Sequence, residues 1–245
     1  MLSKLVIIPT YNELENIQNI IAKVFSLEGN YHVLVVDDGS PDGTAEIVKS
    51  LQEKYNNRLH LEERKGKLGL GTAYIHGFKW GLKNNYDYLF EMDADFSHNP
   101  DDLIKLYSAC ELDGADVSIG SRYKTGVNVV NWPMGRVLMS YYASVYVRLI
   151  TGMPFNDSTA GFKCYHRSVL EAIDLDKIRF KGYAFQIEMK FTAWKMGFKV
   201  VEVPIIFTDR KEGTSKMDGG IFKEALFGVM YLRLSSIFKK YKRAA

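Results

Sequence analysis

The first half of the chain is built from short apolar runs, each closed by polar turn residues and followed by a segment of helical period. This alternation constrains the fold more than any other feature. Leu5-Val6-Ile7-Ile8 ends at Pro9, and Ile17, Ile20, Ile21 and Val24 then fall at i, i+3, i+4 and i+7, the stripe of an amphipathic helix. Val33-Leu34-Val35-Val36 repeats the pattern, closes at the turn-rich residues 37–43 and leads to Ile47, Val48, Leu51 and Tyr55. Leu59-His60-Leu61, the glycine-rich residues 66–71 and a helix over 72–82 follow; then come Tyr88-Leu89-Phe90-Glu91-Met92, a helix over 101–112 and a strand over 117–120. Such alternation implies an α/β chain with mostly parallel strands joined by crossover helices. The second half is less regular: helices are expected over 135–150, 168–173 and 184–195, and a strand over 199–208. A long amphipathic helix over 220–240 is expected to carry Ile221, Phe222, Ala225, Leu226, Val229, Leu232 and Ile237. At 245 residues the chain nears the upper limit of one hydrophobic core. That suggests a main domain over 1–217 and an appended helix over 218–245.

In open sheets of this kind, ligands bind at the carboxyl ends of the strands. Residues 9–13, 37–43 and 93–98 all fall at such ends, so three polar clusters are expected on one rim. In Asp93-Ala94-Asp95 the i and i+2 carboxylates share one face of an extended segment. Carboxylates that close repel unless a cation lies between or beside them. Hard oxygen ligands suit Mg²⁺ or Mn²⁺, which would also bind a substrate diphosphate. The tripeptide alone is also compatible with a solvated loop or with helix-capping carboxylates, but its place at the end of an apolar strand favours a metal. A glycosidase acid pair is disfavoured, because a hydrolase must also place a water and the adjacent clusters look nucleotide-binding. Pro9-Thr10-Tyr11-Asn12-Glu13 and Asp37-Asp38-Gly39-Ser40 offer an aromatic face for a nucleobase and acceptors for its donors or for ribose. Turn chemistry and helix capping account for either cluster alone. A phospho-receiver module also sets an Asp pair after an apolar strand, but it would leave the second half of this chain without a purpose. Arg122, Arg136, Arg148, Arg210 and Lys216 follow the acidic motif at intervals, and arginine binds phosphate through a planar, bidentate fork. Arg122 comes directly after a strand, and Arg210 opens a polar stretch, 210–216, with the composition of a lid. Arg148 and Lys211 read as surface cations.

With 47% apolar and 25% charged residues the chain has the make-up of a globular protein. Its net charge of +3 is small, and no nucleic-acid partner is expected. Cys110 and Cys164 belong to no CxxC pair, so they read as buried thiols in a reducing cytosol. Residues 1–8 lack the pattern of a signal peptide. The longest uncharged stretches, 125–135 and 137–147, have eleven residues each, against roughly 20 for a membrane span.

Eight segments, in order, carry a more specific signal: PTYNE at 9–13, VVDDGSPDGT at 35–44, RKGKLGLGTA at 64–73, MDADFSHNP at 92–100, GSRY at 120–123, DSTAGFKCY at 157–165, KGYAFQIEM at 181–189 and DRKEGTSKM at 209–217. Together they resemble family 2 glycosyltransferases, specifically the dolichyl- or polyprenyl-phosphate mannosyltransferases. The resemblance implies a GT-A fold, with a Rossmann-like sheet flanked by helices. It implies that Pro9, Tyr11, Glu13, Asp37 and Asp38 hold the guanosine of GDP-mannose, with Lys67 near the donor. Asp93, Ala94 and Asp95 would form the diphosphate site, with Asp93 and Asp95 on Mg²⁺ or Mn²⁺. Some relatives have a further metal ligand, Gln, where this chain has Ser97. Arg122, Arg136 and Ser140 would hold the acceptor phosphate, and Arg210 and Lys216 would lie over the phosphates. Asp95, Arg122 and Arg210 would be the catalytic residues. Gln186 and Glu188 would line the sugar or acceptor side.

The activity implied is inverting transfer of mannose from GDP-mannose to a polyprenyl or dolichyl monophosphate. A UDP-glucose-type donor on the same acceptor, and a nucleotide-binding protein without turnover, are the alternatives. A lipid monophosphate is largely a dianion at neutral pH, since its second pKa is near ~6, so no catalytic base is expected. Four cations among residues 239–245, together with the aromatic segment 132–150 and the C-terminal helix, suggest peripheral attachment at the cytoplasmic face of a membrane. Packing of these elements on the core is the competing expectation. Some relatives also rely on small membrane-protein partners.

Overall fold

The structure, a computed structural model, describes residues 2–209, 219–239 and 241. Its first strand shows how the sheet is covered on both faces. Along β1 (Lys4–Thr10), Leu5 and Ile7 enter one apolar core, while Val6 and Ile8 enter the other. A strand buried on both faces needs no alternation of polar and apolar residues, which is why it reads as a continuous apolar run. β2 (Tyr31–Asp37) is built the same way, and β3 (Leu59–Glu63), β4 (Tyr88–Glu91) and β5 (Val117–Ser121) complete the strands anticipated in the first half.

One core lies under α1 (Leu14–Phe25), α2 (Thr44–Tyr55) and α4 (Asp102–Glu111). The stripe Ile17, Ile20, Ile21 and Val24 is fully buried there. The other core lies under α3 (Leu70–Lys83), α5 (Met134–Thr151), α6 (Arg167–Ala172), α7 (Ala184–Lys195) and α8 (Gly219–Phe238). A two-stranded ribbon, β6 (Val129–Val130) with β9 (Phe207–Thr208), stands beside the main sheet.

Two features depart from the expected pattern. Residues 163–166 form a strand, β7 (Lys163–His166), which lies antiparallel between β4 and β5. The single strand expected over 199–208 is two, β8 (Val200–Pro204) and β9, because Pro204 ends the edge strand and Ile205 and Ile206 carry the chain across to the ribbon. The main sheet therefore has seven strands in the order β3-β2-β1-β4-β7-β5-β8, all parallel except β7.

The C-terminal helix is packed, not detached. Gly228, Val229 and Leu232 face inward, Gly228 lying against Phe180, and the Tyr146 hydroxyl of α5 donates to the Leu226 carbonyl at 2.9 Å. Its outer side is nevertheless apolar: Leu226, Phe227, Met230, Tyr231, Leu234, Ile237 and Phe238 are all exposed. The helix is thus apolar around most of the circumference described, where the sequence suggested one apolar stripe. No helix among the described residues is long and apolar enough to cross a membrane.

Candidate active site

The register of the sheet brings the acidic and basic clusters to one rim. Thr10 is level with Asp37, and β4 lies on the other side of β1, so the ends of β2, β1 and β4 stand side by side. Lys163 is level with both Glu91 and Ile119. Two residues further on come Asp93 and Ser121, followed by Arg122. β4 and β5 run parallel with only β7 between them, which sets their axes roughly 10 Å apart.

At the ends of β1 and β2 the carboxylates organise the loops. Asp37 is 1% exposed and accepts from the Thr10 hydroxyl at 2.8 Å and from the backbone N–H and hydroxyl of Ser40 at 2.8 and 2.6 Å. Gly39 turns this loop at φ 71°, and a Cβ there would meet the Gly66 nitrogen at 3.2 Å, so the loop closes tightly on the glycine-rich segment. Asp38 is buried against Arg64, which donates from Nε at 2.7 Å. Lys67 places its ammonium 5.5 Å from the centre of the Tyr11 ring. Glu13 accepts from the Asn16 amide at 3.1 Å. Asn12, between Tyr11 and Glu13, takes a left-handed backbone with φ 56°.

The Asp93–Asp95 segment is tightly constrained. Phe96 has φ 59°, a costly conformation for an aromatic residue that persists only where the surroundings impose it. Asp95 and Ala94 are buried, and the Asp95 carboxylate accepts from the Ser97 N–H at 3.1 Å. Asp93 keeps about a third of its side chain open (37%) and accepts from the Tyr74 hydroxyl at 3.2 Å. Its pKa is raised, chiefly because the surrounding protein strips water from it, with Asp95 and Glu91 adding negative charge and the Tyr74 hydrogen bond opposing. A divalent cation would relieve that strain, so the two acids fit one. Among the described residues no three His, Cys, Asp or Glu side chains gather into a ready-made metal site. Two carboxylates that leave the remaining positions to diphosphate oxygens and water suit Mg²⁺ or Mn²⁺.

His98, which the sequence left without a role, links this segment to the arginines. Its Nδ1 accepts the Asp93 backbone N–H at 3.2 Å, and its ring stacks on Phe162 and meets Phe207 edge-on at 5.6 Å. Phe207 in turn meets Trp132 at 5.2 Å. Arg136 lies over the Trp132 ring at 4.1 Å and Arg122 at 5.6 Å, so both guanidiniums share one indole.

Arg122 is 8% exposed and held bidentately by the buried Asp157, Nε at 2.7 Å and Nη2 at 2.6 Å, with a further bond to Thr159. Arg136 pairs with Asp209 at 2.8 Å. Ser140, one turn beyond Arg136 on α5, lies beside the Tyr123 hydroxyl. Glu202 accepts the backbone N–H groups of Asn156 and Asp157 and the Ser121 hydroxyl, fixing the loop that carries Asp157 to the end of β5. Arg210 and Lys216 lie outside the described residues.

A comparison of the sequence with protein families matches residues 5–174 to "Glycosyl transferase family 2". The chain belongs to glycosyl transferase family 2. A polyprenol monophosphomannose synthase of Mycolicibacterium smegmatis is 49% identical over 92% of this chain and 84% of its own length. An undecaprenyl-phosphate mannosyltransferase of Micrococcus luteus is 45% identical over 92% of this chain and 91% of its own. Among solved structures, glucosyl-3-phosphoglycerate synthase from Mycobacterium tuberculosis, in complex with Mn²⁺, UDP and glucosyl-3-phosphoglycerate, superposes with a TM-score of 0.65 at 17% identity, over 95% of this chain and 79% of that one. The mannosyltransferase PcManGT from Pyrobaculum calidifontis, in complex with GDP-Man and Mn²⁺, gives 0.59 at 17% identity, over 98% and 65%. These neighbours establish the fold as an α/β domain of GT-A type.

Beneath the family 2 rim lies a buried ionic network that the sequence reading did not include. Lys163 donates to both Glu91 oxygens at 3.0 Å, to Tyr165 and to the Gln186 side-chain oxygen. Burial lowers the Lys163 pKa, with Glu91 opposing. Gln186 is thus buried with its side-chain oxygen on Lys163. Glu188 accepts the backbone N–H groups of Arg179 and Phe180 at 2.8 and 3.0 Å, so it ties down the loop before α7. The signal for Asp157 and Lys163 was present in the 157–165 segment; their roles appear only once Arg122 and Glu91 are seen opposite them.

Proposed function

We propose that the protein transfers mannose from GDP-mannose to a polyprenyl monophosphate, with inversion at the anomeric carbon. The observation that carries this reading is the unbroken line of contacts Asp93–His98–Phe207–Trp132–Arg136, with Arg122 on the same indole. It joins an acid pair suited to a metal-bound diphosphate to an arginine pair suited to a second phosphate. The two relatives named above supply the sugar and the lipid.

Pro9, Tyr11, Glu13, Asp37 and Asp38 frame the nucleoside, with Lys67 at its edge. Asp93 and Asp95 would hold Mg²⁺ or Mn²⁺, which when bound would neutralise charge on the departing diphosphate. Arg122 and Arg136, with Ser140 beside them, hold the acceptor phosphate against its repulsion from the donor and aim one oxygen at the anomeric carbon. The acceptor is already charged, so no residue need remove a proton. His98 fits this reading, since its Nδ1 is spent on the Asp93 N–H. Arg210 and Lys216 complete the proposal above the phosphates. The acceptor is a lipid, so the enzyme works at a membrane surface, on the cytoplasmic face where sugar nucleotides are available.

The test is incubation of the protein with each labelled sugar nucleotide, a short-chain polyprenyl monophosphate and Mn²⁺. GDP-mannose alone is expected to label the lipid, and EDTA to abolish labelling. A lipid labelled from UDP-glucose in place of GDP-mannose overturns the choice of donor.

A further inference from the structure

The indole that the two arginines share has a donor that is unmet among the described residues. Trp132 Nε1 is buried, and no described residue accepts its hydrogen. Buried polar groups in folded proteins are nearly always paired, and one that is not asks for a missing partner. An indole nitrogen is a donor only, so the partner must be an acceptor.

The surroundings say which kind. Trp132 is bracketed by guanidiniums, Arg136 at 4.1 Å and Arg122 at 5.6 Å from the ring centre. The Tyr123 ring lies 5.2 Å from the Arg122 guanidinium, and its buried hydroxyl has Ser140 beside it but no well-formed hydrogen bond. A group ringed by cations and spare donors, and holding several acceptor oxygens, is an anion.

The backbone fixes the indole in place. Val130 pairs with Thr208, the Asp209 N–H donates to the Val130 carbonyl at 3.0 Å, and Asn131 turns the chain at φ 64° into α5. The β6–β9 ribbon thereby sets Trp132 beside Phe207 and starts the next helix so that Arg136 falls within its first turn.

We infer that Trp132 is an acceptor-headgroup residue, whose ring holds Arg122 and Arg136 at a fixed separation and whose N–H donates to an oxygen of the phosphate monoester they bind. This rests on the acceptor reading given above and adds a residue to it. Asp157 and Asp209 already balance the two guanidinium charges, and the face of the indole, which attracts cations, adds a common surface that holds both. The ring is neutral at every relevant pH, so its hydrogen bond selects phosphate by geometry while the arginines select it by charge. The Asp209 carboxylate, now on Arg136 at 2.8 Å, is the group that an incoming phosphate would have to displace or share with.

The experiment reads the indole directly. The chain has three tryptophans, Trp80, Trp132 and Trp194, so a spectrum of protein labelled with ¹⁵N at the indole holds three signals, assigned with single Trp→Phe variants. Titration of the wild-type chain with a short-chain polyprenyl monophosphate is expected to move the Trp132 N–H signal downfield, and inorganic phosphate to move it the same way at higher concentration. The parent alcohol, lacking phosphate, is expected to leave it in place. In turnover, Trp132→Phe keeps an aromatic ring and deletes the donor; the acceptor KM is expected to rise about tenfold while the GDP-mannose KM stays unchanged. A wild-type protein that binds the lipid phosphate, as seen at other amide signals, without a shift at Trp132 overturns the inference and leaves the acceptor reading standing. Absence of any response to either phosphate overturns both.

Discussion

In the role proposed for it, Arg122 can serve as a phosphate ligand only because another residue holds it still. Asp157 occupies its Nε and, with Thr159, its Nη2, leaving Nη1 without a hydrogen bond among the described residues. Burial alone would push the Asp157 carboxyl up; the Arg122 charge and hydrogen bonds outweigh that and hold it below the usual carboxylate range. A depressed carboxyl pKa adds stability that is present above the unfolded value, near ~4, and is lost as pH falls through the folded value. Asp157→Asn leaves Arg122 buried without a counter-charge. It is expected to destabilise the fold by about 3 kcal/mol at pH 7, measured by urea unfolding, with the difference from wild type shrinking as pH drops below ~4. Undiminished stability at pH 7 would mean that Arg122 finds another partner. The sequence made Arg122 visible as a cation after a strand, but it held no sign that the cation is clamped from 35 residues away. The acidic motif was legible because its residues act as near neighbours; the Trp132 clamp was not, because Phe207 and Arg122 reach it through tertiary structure.

The secondary elements divide the same way. β1 and β2 were readable because burial on both faces demands an apolar run, and α1 because burial on one face demands a stripe. β7 was unreadable for the opposite reason: its Lys163 is fully buried, paired with Glu91 on β4, so a charged residue sits where pattern reading expects an apolar one. The fit of α3 to the sheet is equally hidden. A Cβ on Gly77 would lie 2.5 Å from the Ile7 side chain, and one on Gly71 would lie 2.7 Å from the Phe185 ring. These glycines let the helix approach β1 on one side and α7 on the other, although glycine inside a helix costs about 1 kcal/mol relative to alanine. The clash outweighs that propensity. Gly77→Ala is therefore expected to destabilise the protein by about 1–3 kcal/mol, read from the midpoint of chemical unfolding. A stabilised variant would show that α3 can retreat from the sheet at no cost.

At the scale of the molecule, the active rim and the apolar surface share α5. Its first turns carry Arg136 and Ser140, and the same helix exposes Leu138, Met139 and Tyr142. α8 packs against α5 and extends the apolar surface with Phe227, Leu234 (60% exposed) and Phe238 (88%). A soluble surface rarely concentrates so many large apolar side chains on two adjoining helices, and an enzyme acting on a lipid phosphate would have a use for them, in bringing the proposed headgroup site to the height of the headgroups. The inward side of α8 is structural, with Val229 and Leu232 in the core, so deleting the helix would confuse loss of folding with loss of docking. Substitution on the outward side separates the two. Phe227→Ser combined with Leu234→Ser is expected to leave the unfolding midpoint unchanged and to reduce flotation with anionic phospholipid vesicles at least severalfold, because each removes apolar area from the outward side. Turnover with a short-chain, water-soluble polyprenyl phosphate is expected to survive, and turnover with a long-chain acceptor in vesicles to fall in step with flotation. If flotation were undiminished, the apolar surface of α8 would not be the membrane contact, and the α5 residues beside Arg136 would be left to bring the enzyme to its lipid.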